Sequence, residues 1–148
     1  MTNPLALDEQ LCFPLYAASR AMTARYRPKL EALGLTYPQY LVMLALWERD
    51  GRTVGEICGE LALDSGTVSP LLKRLEAAGF VTRARSADDE RRVEVRLTGE
   101  GRELREQACP IPAAMAREVG LPAQDLETLR NLLVRLTAAL ERTERDER

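Results

Sequence analysis

The chain has 148 residues, of which 45% are hydrophobic, 30% charged and 5% aromatic. One domain of this length buries roughly two-thirds of its unfolded surface and needs no disulfide or metal to hold together. Lys and Arg number 21 against 23 Asp and Glu, a net charge of −2. That disfavours a protein that coats nucleic acid indiscriminately, although global charge does not report on a local patch. Histidine is absent, which excludes His-based triads, His proton shuttles and the common zinc sets that contain His. No enzymatic activity, metal or cofactor is implied.

The three cysteines, Cys12, Cys58 and Cys109, are odd in number and widely spaced, unlike a disulfide framework or a CxxC metal site. The N-terminal residues lack the basic start and unbroken apolar run of a signal peptide. The longest apolar run, residues 40–47, is too short to cross a bilayer. The expectation is a cytoplasmic protein with reduced thiols and no membrane contact. The basic residues are 19 Arg and two Lys. Guanidinium suits bidentate recognition of phosphate and bases, but genome composition produces the same bias.

In chain order, Leu11, Leu15, Ala18, Met22, Tyr26, Leu30 and Leu33 form a helical stripe that Gly34 caps. Thr36 and Gln39 make a capping-box pattern for a second helix through Trp47, with Pro38 in its first turn. Thr53 and Glu56 repeat the pattern before a short helix whose Val54, Ile57, Cys58 and Leu61 share a face. On that face Cys58 reads as an inert core residue. A brief turn follows, and Asp64 or Ser65 caps a helix carrying Val68, Leu71, Leu72 and Leu75 on one side and ending at Gly79. Residues 80–85 and 92–97 alternate with period two around the polar turn 86–91, a β-hairpin with a charged tip. The fold class is mainly α with a small β-hairpin wing, a winged helix-turn-helix.

The last third returns to helix. Thr98 caps a segment that Pro110 and Pro112 break, and a final helix starts near Pro122. Its Leu126, Leu129, Leu133, Leu136 and Leu140 are spaced as a heptad seam, which suits a partner chain, although packing within the monomer is the alternative. Residues 141–148 are expected to fray. The chain reads as one domain, 1–148. Residues 36–97 are its DNA-binding winged helix-turn-helix, and residues 1–35 and 98–148 are its dimerisation helices.

On the 65–77 helix, Pro70 and Lys73 lie opposite the leucine stripe, flanked by Ser65, Thr67, Ser69 and Arg74. Small hydroxyl residues let a helix approach the major groove, while Lys73 and Arg74 reach phosphates or base edges. A solvated amphipathic helix looks much the same. The hairpin tip, Asp88-Asp89-Glu90-Arg91-Arg92, adds an acidic residue, Asp89, placed to brace Arg91 for a narrow minor groove.

Asp89-Glu90-Arg91, followed by Val93, Val95 and Leu97-Thr98, resembles the DxR…LT wing signature of the MarR-type winged-helix regulators. Leu11-Cys12-Phe13-Pro14-Leu15-Tyr16, Thr36-Tyr37-Pro38-Gln39-Tyr40 with Trp47, and Leu63-Asp64-Ser65-Gly66-Thr67 are similar to its organic-hydroperoxide-sensing branch, the OhrR repressors. The resemblance implies a homodimeric repressor that binds double-stranded operator DNA when reduced and is induced by organic hydroperoxide. It implies that Cys12 is the redox sensor and that Tyr26 and Tyr37 hydrogen-bond its sulfur from the other subunit, with Tyr16 as an accessory. Pro14 either starts the helix or kinks it; a start there puts Cys12 at a helix N-terminus, where open N–H groups favour a thiolate. Cys109 is a candidate resolving cysteine, although it falls short of the place such residues occupy in the family. The alternative function is a MarR-type regulator that responds to a small aromatic ligand in the dimer cleft, with Cys12 only structural. A thiol peroxidase and a helical interaction module are further alternatives, which peroxide turnover and duplex-DNA binding separate.

Overall fold

A computed structural model describes residues 3–148, which form two compact units divided after Ile111. The first unit holds helices α1 (Cys12–Glu31), α2 (Tyr37–Glu48), α3 (Val54–Leu61), α4 (Ser65–Ala77) and α5 (Gly99–Ala108). It also holds strands β1 (Arg52–Thr53), β2 (Val81–Arg85) and β3 (Val93–Leu97). This is the winged helix-turn-helix.

The helix ends are set by local chemistry. Thr36 opens α2 with a complete capping box: its hydroxyl accepts from the Gln39 N–H at 3.4 Å, and Gln39 Oε1 accepts from the Thr36 N–H at 2.9 Å. Thr53 caps α3 by accepting from the Glu56 N–H at 3.2 Å, and Asp64 caps α4 by accepting from the Thr67 N–H at 2.8 Å. The turn between α3 and α4 is a Schellman motif, with the Leu63 N–H donating to the Cys58 carbonyl at 3.0 Å. Its left-handed position is filled by Ala62 at φ +53°, where glycine is usual and a Cβ costs about 1–2 kcal/mol.

Val42, Met43 and Leu46 of α2, Ile57 of α3, and Val68, Leu72 and Leu75 of α4 are sealed from solvent beneath Val95 of β3. Of the apolar face read on α3, only Ile57 is fully buried; Cys58 is half-buried, a correction to its reading as a core residue. The face that buries Ile57 leaves the adjacent position at its margin, because successive helical residues turn by about 100°.

The hairpin pairs Val81 with Leu97 and Arg85 with Val93. A third strand, β1, completes the sheet in the order β1-β3-β2, with Arg52 opposite Val95. The short strand is held by Arg52 itself, whose guanidinium is buried: Nε donates to the Ala45 carbonyl at 3.0 Å, and the Glu48 and Glu60 carboxylates lie 3.7 Å away. Thr98 then ties the sheet to α5, donating from its hydroxyl to the Gly79 carbonyl at 2.6 Å and accepting from the Gly101 N–H at 3.1 Å. Gly101 packs so tightly that a Cβ would lie 2.1 Å from the Phe80 carbonyl oxygen, and its own carbonyl accepts from Trp47 Nε1 at 2.8 Å.

The second unit, Pro112–Arg148, contains all but the first residue of α6 (Ile111–Val119) and the whole of α7 (Ala123–Asp146). The expected break at Pro110 and Pro112 is followed at once by a helix, because Pro112 falls in its first turn, where a missing N–H has no partner to lose. α7 is helical through Asp146 rather than frayed from residue 141. None of its residues is buried, and Leu129, Leu133 and Leu140 of the seam are 47%, 36% and 61% exposed. Among the described residues, no helix is long and apolar enough to cross a membrane.

Gly101→Ala is expected to lower unfolding stability by about 1–3 kcal/mol, since the Phe80 backbone cannot yield as a flexible side chain would. Gly59→Ala, on α3 where a Cβ meets nothing within 4 Å, should gain about 0.5–1 kcal/mol. Urea unfolding of both variants checks the pair.

Candidate functional site

Helix α4 presents two faces. Val68, Leu71, Leu72 and Leu75 are buried, while Ser65, Thr67, Ser69, Pro70, Lys73 and Arg74 are all exposed. Gly66 keeps the start of this helix low, and a Cβ there would sit 3.2 Å from Asp64 Oδ1. The exposed face therefore begins with hydroxyls and a glycine and ends in two cations. Among the described residues, neither Lys73 nor Arg74 has a carboxylate partner.

The wing stands beside this face. At its tip, Asp89 Oδ1 accepts from the Arg91 N–H at 3.0 Å and from Arg91 Nε at 3.4 Å, yet the Arg91 side chain stays 92% exposed. Arg85 Nη1 donates across the turn to the Glu90 carbonyl at 2.7 Å. Four of the six acidic residues in 64–96 are thus committed to structure: Asp64 to the α4 cap, Asp89 to Arg91, Glu94 to Arg96 at 2.9 Å, and Glu76 to Arg83. Glu76 accepts from the Arg83 side chain and its N–H, which holds this carboxyl below the usual carboxylate range despite partial desolvation. Between wing and helices runs a groove of about 620 Å³ lined by Ser69, Arg83, Arg91, Arg92 and the start of α3. Sequence reasoning missed Arg83, Arg92 and Glu56 in this groove. Only the folded hairpin, packed beside the start of α3, brings them together.

The thiol residues divide differently. Cys12 is the first residue of α1 and is exposed, and the N–H groups of Cys12 and Phe13 have no backbone acceptor among the described residues. Tyr16, one turn on, is 64% exposed, with the Arg20 guanidinium 5.5 Å from its ring centroid. Tyr26 and Tyr37 meet with ring centroids 5.1 Å apart, and Tyr40 joins them at 5.8 and 6.3 Å. Tyr40 was not singled out from sequence, although its place one turn after Tyr37 on α2 was the available signal. Cys12 and Tyr26 lie 14 positions apart on one helix, about 21 Å at 1.5 Å per residue. One chain therefore assembles the phenols but does not bring them to the sulfur. Cys109 is the C-cap of α5 and exposed, and all three cysteines are free thiols.

Burial raises the Tyr26, Tyr37 and Tyr40 phenols above their ordinary range, with mutual repulsion of the phenolates adding to it for Tyr26 and Tyr40. All three are protonated donors at neutral pH.

Residues 24–108 match the family described as the transcriptional regulator SarA/Rot. The chain belongs to this family of winged-helix, MarR-type regulators. It is 47% identical over 137 residues to the organic hydroperoxide resistance transcriptional regulator of Bacillus subtilis (strain 168), covering 93% of this chain and 91% of that protein. Among solved structures, reduced AbfR bound to DNA superposes with a TM-score of 0.76 at 36% identity, covering 90% of this chain and 94% of that one. AbfR is a Staphylococcus epidermidis protein. Its disulfide form superposes with a TM-score of 0.63 at 35% identity, covering 92% and 90% of the two chains. This regulator is thus not an enzyme, and its winged helix belongs to transcriptional control.

A phenolate absorbance titration of the native regulator should show these three tyrosines ionising above pH 10, the ordinary tyrosine value. A folded pKa raised above the unfolded one gives stabilisation that is complete below pH 10 and lost as pH climbs through the folded values. Unfolding should therefore accompany their titration. Ionisation of all tyrosines at or below pH 10 would mean that the cluster is open to solvent.

Proposed function

We propose that this regulator is a cytoplasmic, redox-responsive repressor that binds operator DNA as a reduced homodimer and is released when an organic hydroperoxide oxidises Cys12. The observation that carries the reading is the divided site. Helix α1 holds Cys12 about 21 Å from Tyr26, so the phenols complete a thiolate site only when a second copy supplies them. The uncovered leucine seam of α7 and the exposed Leu11 and Met22 of α1, 65% and 38% accessible, offer that second copy apolar surface. In this reading residues 1–35 and 98–148 build the dimer, and residues 36–97 read the DNA.

The DNA contacts follow from the exposed residues. Ser65, Thr67, Ser69 and Pro70 approach base edges in the major groove, Lys73 and Arg74 reach phosphates, and Asp89 extends Arg91 toward the minor groove. The likeness to AbfR in its reduced, DNA-bound form supports this, and the relative named for organic hydroperoxide resistance supports the inducer class.

In the switch, the Cys12 thiolate attacks the peroxide oxygen and the O–O bond breaks. Sulfur is oxidised to a sulfenic acid, and the hydroperoxide is reduced to its alcohol after taking up a proton. A second thiol, either Cys109 or a small cellular thiol, then condenses with the sulfenic acid and releases water. Tyr26 and Tyr37, with Tyr16 as accessory, lose a charged acceptor. Two charge-assisted hydrogen bonds at ~1.5–3 kcal/mol each cover the roughly 2.7 kcal/mol that a hundredfold loss of operator affinity requires.

A second reading rests on a cleft of about 400 Å³ lined by Thr23, Arg27, Glu31, Leu35, Thr36, Tyr37 and Pro38. Its Arg27 suits the carboxylate of a small aromatic ligand. The two readings separate in a gel shift on DNA flanking the regulator's own gene. Wild-type protein should release the duplex on treatment with an alkyl hydroperoxide, whereas Cys12→Ser, which lacks the thiolate acceptor and binds more weakly from the start, should show no change on treatment. Release of Cys12→Ser by hydroperoxide contradicts the thiol switch, and release of that variant by an aromatic acid alone supports the cleft.

A further inference from the structure

Glu56 occupies an unexpected place. It is a carboxylate in a groove whose other charged lining residues are the three arginines Arg83, Arg91 and Arg92. A lone negative charge on a DNA-facing surface repels phosphate, so simple electrostatics counts it as a liability. Its contacts point elsewhere. One carboxylate oxygen accepts from Arg49 Nη2, at the C-cap of α2, and the other lies 3.8 Å from Arg92 Nη2, next to Arg91 at the tip of the wing where β3 begins. Glu56 is the third residue of α3, whose backbone is pinned there by the Thr53 cap. The same carboxylate thus touches the end of α2 and the outgoing arm of the wing, 36 positions away in the chain, from a fixed point on α3.

The incoming arm is held the same way from the other helix: Arg83 of β2 reaches Glu76 of α4 at 3.3 Å. The wing is therefore fastened by one carboxylate from each helix of the helix-turn-helix. Arg92 and Arg49 are 58% and 61% exposed at the side chain. Ion pairs this exposed contribute little to folding, so what the contact supplies is direction rather than stability.

We infer that Glu56 is a positioning residue for DNA recognition, which fixes the wing relative to α4 so that Arg91 and the exposed face of α4 engage one binding site together. The inference rests on the DNA-binding reading above and adds a specificity determinant that itself contacts no base. Arg49 holds the carboxylate on one side and leaves its other oxygen for Arg92. Without the bridge, the wing keeps its own Asp89–Arg91 and Arg85–Glu90 contacts and the Arg83–Glu76 tie to α4, but loses the second tie, the one that sets its outgoing arm against α3.

The two accounts of Glu56 give opposite signs in one experiment. Wild type, Glu56→Gln and Glu56→Asp are compared for affinity to a duplex selected by the wild-type protein from a randomised pool, and to poly(dI-dC), with thermal unfolding as a control. Removing a repelling charge should leave poly(dI-dC) binding equal or tighter in Glu56→Gln. Losing the bridge should weaken the selected duplex by about two- to fivefold, with Glu56→Asp recovering part of it and the unfolding midpoint nearly unchanged. A Glu56→Gln protein that binds both DNAs tighter by the same factor overturns the inference, as does one that keeps the wild-type preference. If wild type shows no selected duplex over poly(dI-dC), the DNA-reading proposal itself falls.

Discussion

The constraint from which most of this architecture follows is the length of one helix. α1 carries Cys12 at its start and Tyr26 fourteen residues later, and a continuous helix cannot fold back to join them. The phenols therefore cluster with residues of α2, the thiol stays at the opposite end of α1, and the chain is left with an incomplete site and uncovered apolar helix faces. In the proposed switch, pairing with a second copy would meet both deficits at once. Sensing and assembly would then share an interface, and oxidising the sulfur would act on the geometry of the dimer rather than on a separate domain.

A second economy concerns charge. The protein is net negative and yet presents cations where DNA would lie, because its carboxylates in this region are used as fasteners. Asp64 closes the α4 cap, Glu76 and Glu56 hold the arms of the wing, and Asp89 aims Arg91. Desolvation pushes the Glu56 carboxyl up, but the Arg49 guanidinium and hydrogen bonds from Arg49 and Thr53 together outweigh it and hold the group below the usual carboxylate range, so the fastener stays ionised through the neutral range. Net charge is thus a poor guide to what such a surface binds, since Glu56, Glu76, Asp89 and Glu94 are each set against an arginine while Lys73 and Arg74 are left unopposed.

Much of the fold was legible because its signals are local. The Thr36–Gln39 box, the leucine stripe of α4 and the period-two hairpin each declare themselves within a few residues, and the structure places each where the pattern puts it. What was not legible depends on distant partners. β1 is two residues long, has no alternation of its own, and exists because β3 passes beside it and Arg52 is buried there. α6 was hidden by prolines whose breaking effect vanishes in a first turn. Ala62 carries no glycine-like mark for its left-handed turn. In the site, Cys12, Tyr26 and Tyr37 came from a family resemblance and Tyr40 had a local signal one turn after Tyr37, whereas Glu56 and Arg92 come together only when chain segments far apart in sequence are folded.

The central claim is that Cys12 of one subunit is served by the tyrosines of the other, and mixed dimers test it most directly. One subunit carries Cys12→Ser with its tyrosines intact, and its partner carries Tyr26→Phe and Tyr37→Phe with its cysteine intact. The rate of sulfenic acid formation with an alkyl hydroperoxide is then measured on the purified heterodimer. A site shared between subunits predicts one complete site per dimer, reacting at the wild-type rate with half the wild-type amplitude. A heterodimer that reacts only as slowly as the tyrosine-deficient homodimer would contradict it.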